Sequence, residues 1–147
     1  MARLAAIQAI YQQKITGMDA GDVVVQFKQH HFNKSMDDID LGSLDRELFN
    51  DLVMGANTRL TDIDGIIQSN LAEGWSIERL DIVLLSILRC AIYELWCRTD
   101  IPVKVTIDEY VNLTADFYDQ KEPNFVNGLL DKVAKALRGG DPVAVVK

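Results

Sequence analysis

Leu80-Asp-Ile-Val-Leu-Leu-Ser-Ile-Leu-Arg-Cys-Ala-Ile-Tyr-Glu-Leu-Trp-Cys-Arg98 is the most apolar stretch of the chain. Its residues recur at helical spacing. Leu84, Leu88, Ala91, Ile92 and Leu95 make one broad face, and Ser86, Cys90, Tyr93 and Cys97 occupy much of the opposite side. A helix with so few freely exposed positions belongs at the centre of a bundle, with other helices on more than one side. It ends at Asp100-Ile-Pro102, because the proline ring and its missing N–H do not fit a helix interior.

Helical spacing continues outward in both directions. Downstream, Thr106-Ile-Asp-Glu109 has the form of a capping box opening a helix that runs to about Tyr118. Pro123 suits the first residue of a last helix, with Val126, Leu129, Leu130, Val133 and Leu137 as its core stripe and Gly139-Gly140 as its stop. Upstream, Leu4, Ile7, Tyr11, Ile15 and Met18 fall on one stripe of a first helix that stops at Gly17. A short second helix is expected over Val23 to His30 with Asp22 as its N-cap, followed by an acidic loop from Asn33 to Gly42. Ser43 is expected to cap a long helix running towards Leu71 with a bend around Thr61–Asp62, closed by a turn at Gly74-Trp75-Ser76. The pattern predicts an all-α bundle of six to seven helices. It forms one domain over residues 1–138, with a flexible tail over 139–147.

Composition agrees with a single globular domain: 147 residues, 48% hydrophobic, with only 3 prolines and 9 glycines, which excludes a disordered chain. No run approaches the roughly 18 apolar residues of a membrane span. The N-terminus lacks the basic and apolar regions of a signal peptide. Two cysteines without an export signal fit a reducing cytoplasm rather than a disulfide framework. The formal charge of −7 argues against a protein that coats itself with nucleic acid, but it is unevenly distributed. Residues 37–65 carry eight acids against Arg46 and Arg59. Both ends are mildly basic, through Arg3, Lys14, Lys28 and Lys34 at one and Lys132, Lys135, Arg138 and Lys147 at the other. If the ends meet, they form a positive patch on an acidic protein.

Sites for catalysis or metal binding are scarce. His30 and His31 are adjacent, so on a helix they point about 100° apart and cannot share a ligand. Cys90 and Cys97 match neither a CxxC pair nor a zinc knuckle and read as buried thiols. Asp38-Ile-Asp-Leu-Gly42 resembles a calcium loop only superficially, since Gly42, Ser43 and Phe49 fall where a ligand, the turn glycine and the bidentate glutamate belong. Asp62-Ile-Asp64-Gly65 fails in the same way. No GxGxxG, P-loop or GxSxG motif is present. The chain reads as a non-enzyme without metal or cofactor.

Two positions stand out against that background. Phe125 projects close to 90° from the centre of the last helix's core stripe, beside Asn124 and shortly after Lys121. An aromatic ring on the flank of a helix N-terminus, with backbone N–H groups nearby, suits a single-stranded base and its phosphate. A rim residue covered by a neighbouring loop has the same signature. Arg3 lies on the flank of the first helix with Lys14 on the same side.

Four segments carry a resemblance to a known family. They are Ala2-Arg-Leu-Ala-Ala-Ile-Gln-Ala-Ile-Tyr11, Ile87-Leu-Arg-Cys-Ala-Ile-Tyr-Glu-Leu95, Asp100-Ile-Pro-Val-Lys104 with Ile107-Asp-Glu109, and Phe125-Val-Asn-Gly-Leu-Leu-Asp-Lys132. In this order they resemble the NusB family of transcription antitermination factors, from Ala2 to about Arg138. The resemblance implies two packed helical subdomains and a non-enzymatic role. NusB-like proteins pair with NusE, which is also a small-subunit ribosomal protein. The pair binds single-stranded boxA RNA of ribosomal RNA leaders and helps load an antitermination complex on RNA polymerase. Carried over by position, Arg3, Gln8 and Tyr11 on the first helix and Lys121, Asn124 and Phe125 at the start of the last match the regions that contact RNA. Arg89 and Lys104 are the candidates for the partner surface, with a buried polar network as the alternative reading of Arg89, Tyr93 and Glu94.

One departure bears on affinity. Family members commonly carry an arginine-rich run before the first helix, whereas this sequence begins Met1-Ala2-Arg3, so either an upstream segment is missing from it or RNA is held through fewer phosphate contacts. Each phosphate left without a cation flattens the salt dependence by about one unit of log–log slope, so weak RNA binding by the chain alone is expected. Two other readings compete with the RNA-binding factor. One is a helical protein-interaction domain with little RNA affinity. The other is the NusB-like domain of a ribosomal RNA methyltransferase, disfavoured because no glycine-rich cofactor-binding half follows. Monomer and homodimer are both compatible with such a chain, and no membrane association is expected.

Overall fold

The computed structural model describes residues 2–27 and 42–138. The paired histidines, the rest of the expected acidic loop before Gly42, and the tail after Arg138 lie outside the described residues. Within them are seven α-helices, divided between two compact units, Met1–Arg59 and Leu60–Lys147.

The first unit holds α1 (Ala2–Thr16), α2 (Ala20–Phe27) and α3 (Gly42–Thr58), each packed on the other two. Helix α1 buries Ala2, Ala6, Ile7, Ala9 and Ile10. This differs from the expected stripe of Leu4, Ile7, Tyr11, Ile15 and Met18. Tyr11 is 39% and Ile15 56% exposed, so the buried face is turned roughly a third of a turn from the larger side chains. Alanines win the core position because two neighbouring helices crowd against α1, and small side chains permit that approach. Gly17, at φ +76°, closes α1 with its N–H on the Gln13 carbonyl at 2.8 Å. Asp19, not Asp22, caps α2, its Oδ2 accepting from the Gly21 N–H at 3.1 Å. Two amide bridges of 2.8 Å tie α1 to its neighbours, Gln12 to Gln26 on α2 and Gln13 to Asn57 on α3. The rings of Phe27 and Phe49, 5.7 Å apart, join α2 to α3. Helix α3 begins at Gly42, so Ser43 lies inside it rather than before it.

The expected continuous helix towards Leu71 is broken at Arg59, where the first unit ends, rather than bent at Thr61–Asp62. The second unit begins with α4 (Leu60–Asn70) and a single 3-10 turn (Ile77–Arg79). It continues with α5 (Ile82–Cys97), α6 (Val103–Phe117) and α7 (Lys121–Leu137). Helix α5 is central, as its sequence predicts: every residue from Leu84 to Leu95 is buried, and α4, α6 and α7 all pack on it. Asp81 caps its N-terminus through the Leu84 N–H at 3.4 Å. At its other end Arg138 donates to the carbonyls of Leu95, Arg98 and Ile101 at 2.9–3.0 Å. One side chain thus ties the end of α5 to the following turn through three carbonyls.

The capping box at Thr106 does not form. Helix α6 starts a turn earlier, after Pro102, and Thr106 is an interior residue whose N–H reaches the Pro102 carbonyl. Its hydroxyl donates to Glu94 Oε2 at 2.9 Å, and the Tyr110 hydroxyl donates to Glu94 Oε1 at the same distance. With its N–H already committed to the Pro102 carbonyl, Thr106 has no open backbone donor for Glu109 to cap. Its hydroxyl instead serves the buried Glu94, which has no water to replace it. Pro123 is the third residue of α7 rather than the first, still among the positions whose N–H has no intrahelical partner. Val126, Leu129, Leu130 and Val133 are buried as the periodicity predicts.

Candidate nucleic-acid interface

In the first unit, Gln8, Tyr11 and Ile15 are exposed on one side of α1, at the three- and four-residue spacing that places side chains above one another. Arg3 is half-buried and Lys14 exposed, on an adjoining strip eleven residues apart. The face of α1 turned from its core is therefore polar and aromatic. A tyrosine left open there is available for stacking.

In the second unit, Lys121, Phe125 and Lys132 share one side of α7, at positions i, i+4 and i+11. Phe125 is half-buried while Lys121 and Lys132 are exposed. Lys132 Nζ approaches the carbonyl of Asn70 at 3.5 Å, where a cation suits the negative end of α4. Asn124 is exposed and its Oδ1 accepts from Gln120 at 3.4 Å. Lys135 pairs with Asp131 at 3.1 Å. The basic character expected of the C-terminal end thus narrows. The guanidinium of Arg138 is committed to carbonyls and Lys135 to an acid, which leaves Lys121 and Lys132 of α7 without an ion pair among the described residues.

Lys121 and Phe125 border an open groove of about 370 Å³ whose other wall is the connector from α4 to α5, including Leu71, Trp75 and Arg79, together with Leu84 in the first turn of α5. Trp75 is 49% exposed, and the Arg79 guanidinium lies 4.8 Å from the centre of its ring. The sequence marks a turn at Gly74-Trp75-Ser76 and gives the indole no role. Its signal was a large aromatic directly after a glycine, outside any helical stripe. Asp81 and Tyr118 meet on the same side of the unit, the phenol donating to Asp81 Oδ2. Burial, then the adjacent carboxylate, push the Tyr118 hydroxyl well above the usual tyrosine range.

The two candidates for a partner surface part company. Arg89 is 7% exposed and its fork is engaged by Asp64, with Nε to Oδ1 at 2.9 Å and Nη2 to Oδ2 at 2.8 Å. It therefore braces α4 against α5 and presents no free donor fork to a partner. Lys104 is exposed on the first turn of α6 and makes an i,i+4 pair with Asp108 at 3.0 Å, weak enough to be exchanged for another acid. Burial raises the Cys90 thiol far above its usual range, which keeps it protonated and unreactive. Among the described residues no group of three or more His, Cys, Asp or Glu is placed to hold a metal, and no helix is long and apolar enough to cross a membrane.

The described residues form an all-α scaffold of two helical units, with aromatic and cationic side chains displayed on helix faces. The NusB family model matches residues 1–135, and the chain belongs to the NusB family. It is 41% identical over 137 residues to the transcription antitermination protein NusB of Novosphingobium aromaticivorans, covering 93% of each chain. It is 38% identical over 138 residues to that of Caulobacter vibrioides, covering 94% of this chain and 93% of the other. Among solved structures, T. maritima NusB superimposes with a TM-score of 0.76 at 31% identity, over 91% of this chain and 88% of that one. A structure of the antitermination factors NusB and NusE in complex with dsRNA gives a TM-score of 0.76 at 27% identity, covering 92% and 94%.

Proposed function

We propose that this chain is an RNA-binding antitermination factor. In this reading it pairs with a NusE-type small-subunit ribosomal protein and, as a pair, engages single-stranded boxA-type RNA of ribosomal RNA leaders within the antitermination complex on RNA polymerase. The observation that carries the reading is family membership across nearly the whole chain, which includes relatives named for antitermination and a similar structure solved with NusE and RNA. The exposed and half-buried side chains of two helices support it. Arg3, Gln8 and Tyr11 on α1 and Lys121, Asn124 and Phe125 on α7 supply cations, amides and rings, the groups that hold phosphates and unstacked bases. They do so without catalytic chemistry, in the cytoplasm where transcription occurs.

RNA affinity of the chain alone is weak in this reading, because the protein is acidic, with a net charge of −7. The partner supplies much of the remainder, and Lys104 is the residue offered to it. Titration of a boxA-like RNA with and without NusE, comparing wild type with Phe125→Ala, tests the proposal. Loss of affinity in the variant, strongest for the pair, supports it. Tight binding to NusE with no RNA affinity in either state would instead favour a protein-interaction domain.

A further inference from the structure

We propose that the groove between the α4–α5 connector and the start of α7 is a subsite for one unstacked nucleobase, with the Trp75 indole as its stacking platform. The inference rests on the RNA-binding reading and adds to it a residue and a position.

Trp75 is set apart by how firmly an exposed ring is held. Single exposed apolar residues are ordinary on protein surfaces. Here, however, the backbone around the indole is fastened on each side. Gly74 turns the chain at φ +89°, and the Trp75 N–H donates to the Ala72 carbonyl at 3.0 Å. Gln68 clamps the turn from α4, donating to the Trp75 carbonyl at 3.0 Å and accepting from the Ile77 N–H at 2.9 Å. Arg79 donates to the Gly74 carbonyl at 3.0 Å while its guanidinium sits over the indole. A ring fixed before binding loses little freedom when a base stacks on it.

The groove has the dimensions and chemistry for that ligand. At about 370 Å³ it lies at the small end of ligand pockets, room for one planar ring system rather than a helix. Phe125 borders the same space from α7, so aromatic side chains come from both walls. Lys121 stands at the groove without an ion pair among the described residues, available to a phosphate beside an inserted base. Arg79, held on the Gly74 carbonyl and over the indole, adds positive charge at the same rim. Of the two acids lining it, Asp81 is occupied by the Tyr118 hydroxyl and the Leu84 N–H at the start of α5. Glu122 remains as an acceptor for an exocyclic amine, the pairing that acidic side chains make with cytosine.

The test uses the full chain and a short single-stranded boxA-like RNA, with NusE added in a parallel series. The tryptophan indole N–H signals are followed by heteronuclear NMR, and that of Trp75 is assigned through Trp75→Phe. The expected result is a shift of the Trp75 indole signal on titration and a loss of affinity of about tenfold in Trp75→Ala. Trp75→Phe, which keeps a stacking ring, should retain most of the affinity. Thermal melting of each variant is expected to match the wild type, because the side chain is half exposed. RNA binding with an unmoved Trp75 signal and an unchanged Trp75→Ala affinity would overturn the subsite and leave the RNA reading standing. Unchanged RNA affinity but weakened NusE binding in Trp75→Ala would assign the groove to a protein and overturn the subsite as well. Absence of RNA binding with and without NusE would remove the functional reading, and the subsite with it.

Discussion

Arg89 on α5 meets Asp64 on α4 end on, two parallel hydrogen bonds of 2.9 and 2.8 Å joining guanidinium to carboxylate. The arginine side chain is 9% exposed and the aspartate 29%, so the pair lies at the edge of the core where water reaches only one partner. Removing either group strands the other. Arg89→Ala is expected to cost about 3 kcal/mol, the lower end for breaking a buried pair because Asp64 keeps some solvent. Arg89→Lys keeps the charge but not the fork, and should recover only part of that loss. Urea denaturation of both variants and of Asp64→Asn checks this. Full stability in Arg89→Ala would show that α4 is held to α5 by apolar contacts alone.

Much of this was legible in the sequence where side chains were large and apolar, and less where they were small or polar. The centrality of α5 and the stripe of α7 follow from leucine, isoleucine and valine at helical spacing, because burial of such residues dominates the energetics. The buried face of α1 is not legible in the sequence because Ala2, Ala6 and Ala9 carry little hydrophobic signal, while their value is geometric. Thr106 matched a local capping rule, but Glu94, twelve residues upstream, claimed its hydroxyl. For the candidate interface, Phe125 was visible as an aromatic off the core stripe. Trp75 was not, because its position depends on Gln68 and Arg79 reaching the same turn.

Glu94 is fully buried and accepts from Thr106 and Tyr110 at 2.9 Å each, fastening α5 to α6. Tyr110→Phe deletes one donor and keeps the ring. Leaving a buried acceptor without its donor costs about 1–3 kcal/mol, so a loss in that range is expected by chemical denaturation. Thr106→Val should cost a similar amount. The double variant is expected to deviate from additivity, since both hydroxyls serve one carboxylate. Strict additivity would mean that Glu94 finds replacement partners.

Alkaline pH should destabilise the second unit. Burial raises the Cys90 thiol from its usual 9.0, and burial with the Asp81 hydrogen bond raises the Tyr118 phenol from its usual 10.0. Both groups stay protonated in the folded chain at a pH where the unfolded chain releases the proton. Stability from these groups is therefore fully present below about pH 9 and declines as pH rises beyond it. Melting temperatures between pH 7 and 11 should fall more gently in Tyr118→Phe than in the wild type. In parallel, a thiol reagent at pH 8 should leave Cys90 unmodified until the chain is denatured, whereas the partly exposed Cys97 reacts in the folded state.

Lys121 offers the sharpest separation of charge from stacking at the candidate interface. It is exposed, makes no ion pair among the described residues, and lies one helical turn before Phe125. If it meets a phosphate, Lys121→Ala should weaken RNA binding at low salt. It should also reduce the slope of log affinity against log salt by about 0.7, the value for one phosphate of a single strand. Phe125→Ala should lower affinity at every salt concentration and leave that slope unchanged, because stacking releases no counterions. A Lys121→Ala slope equal to the wild-type value would place the phosphate path elsewhere, with Arg79 the next cation along the groove to test.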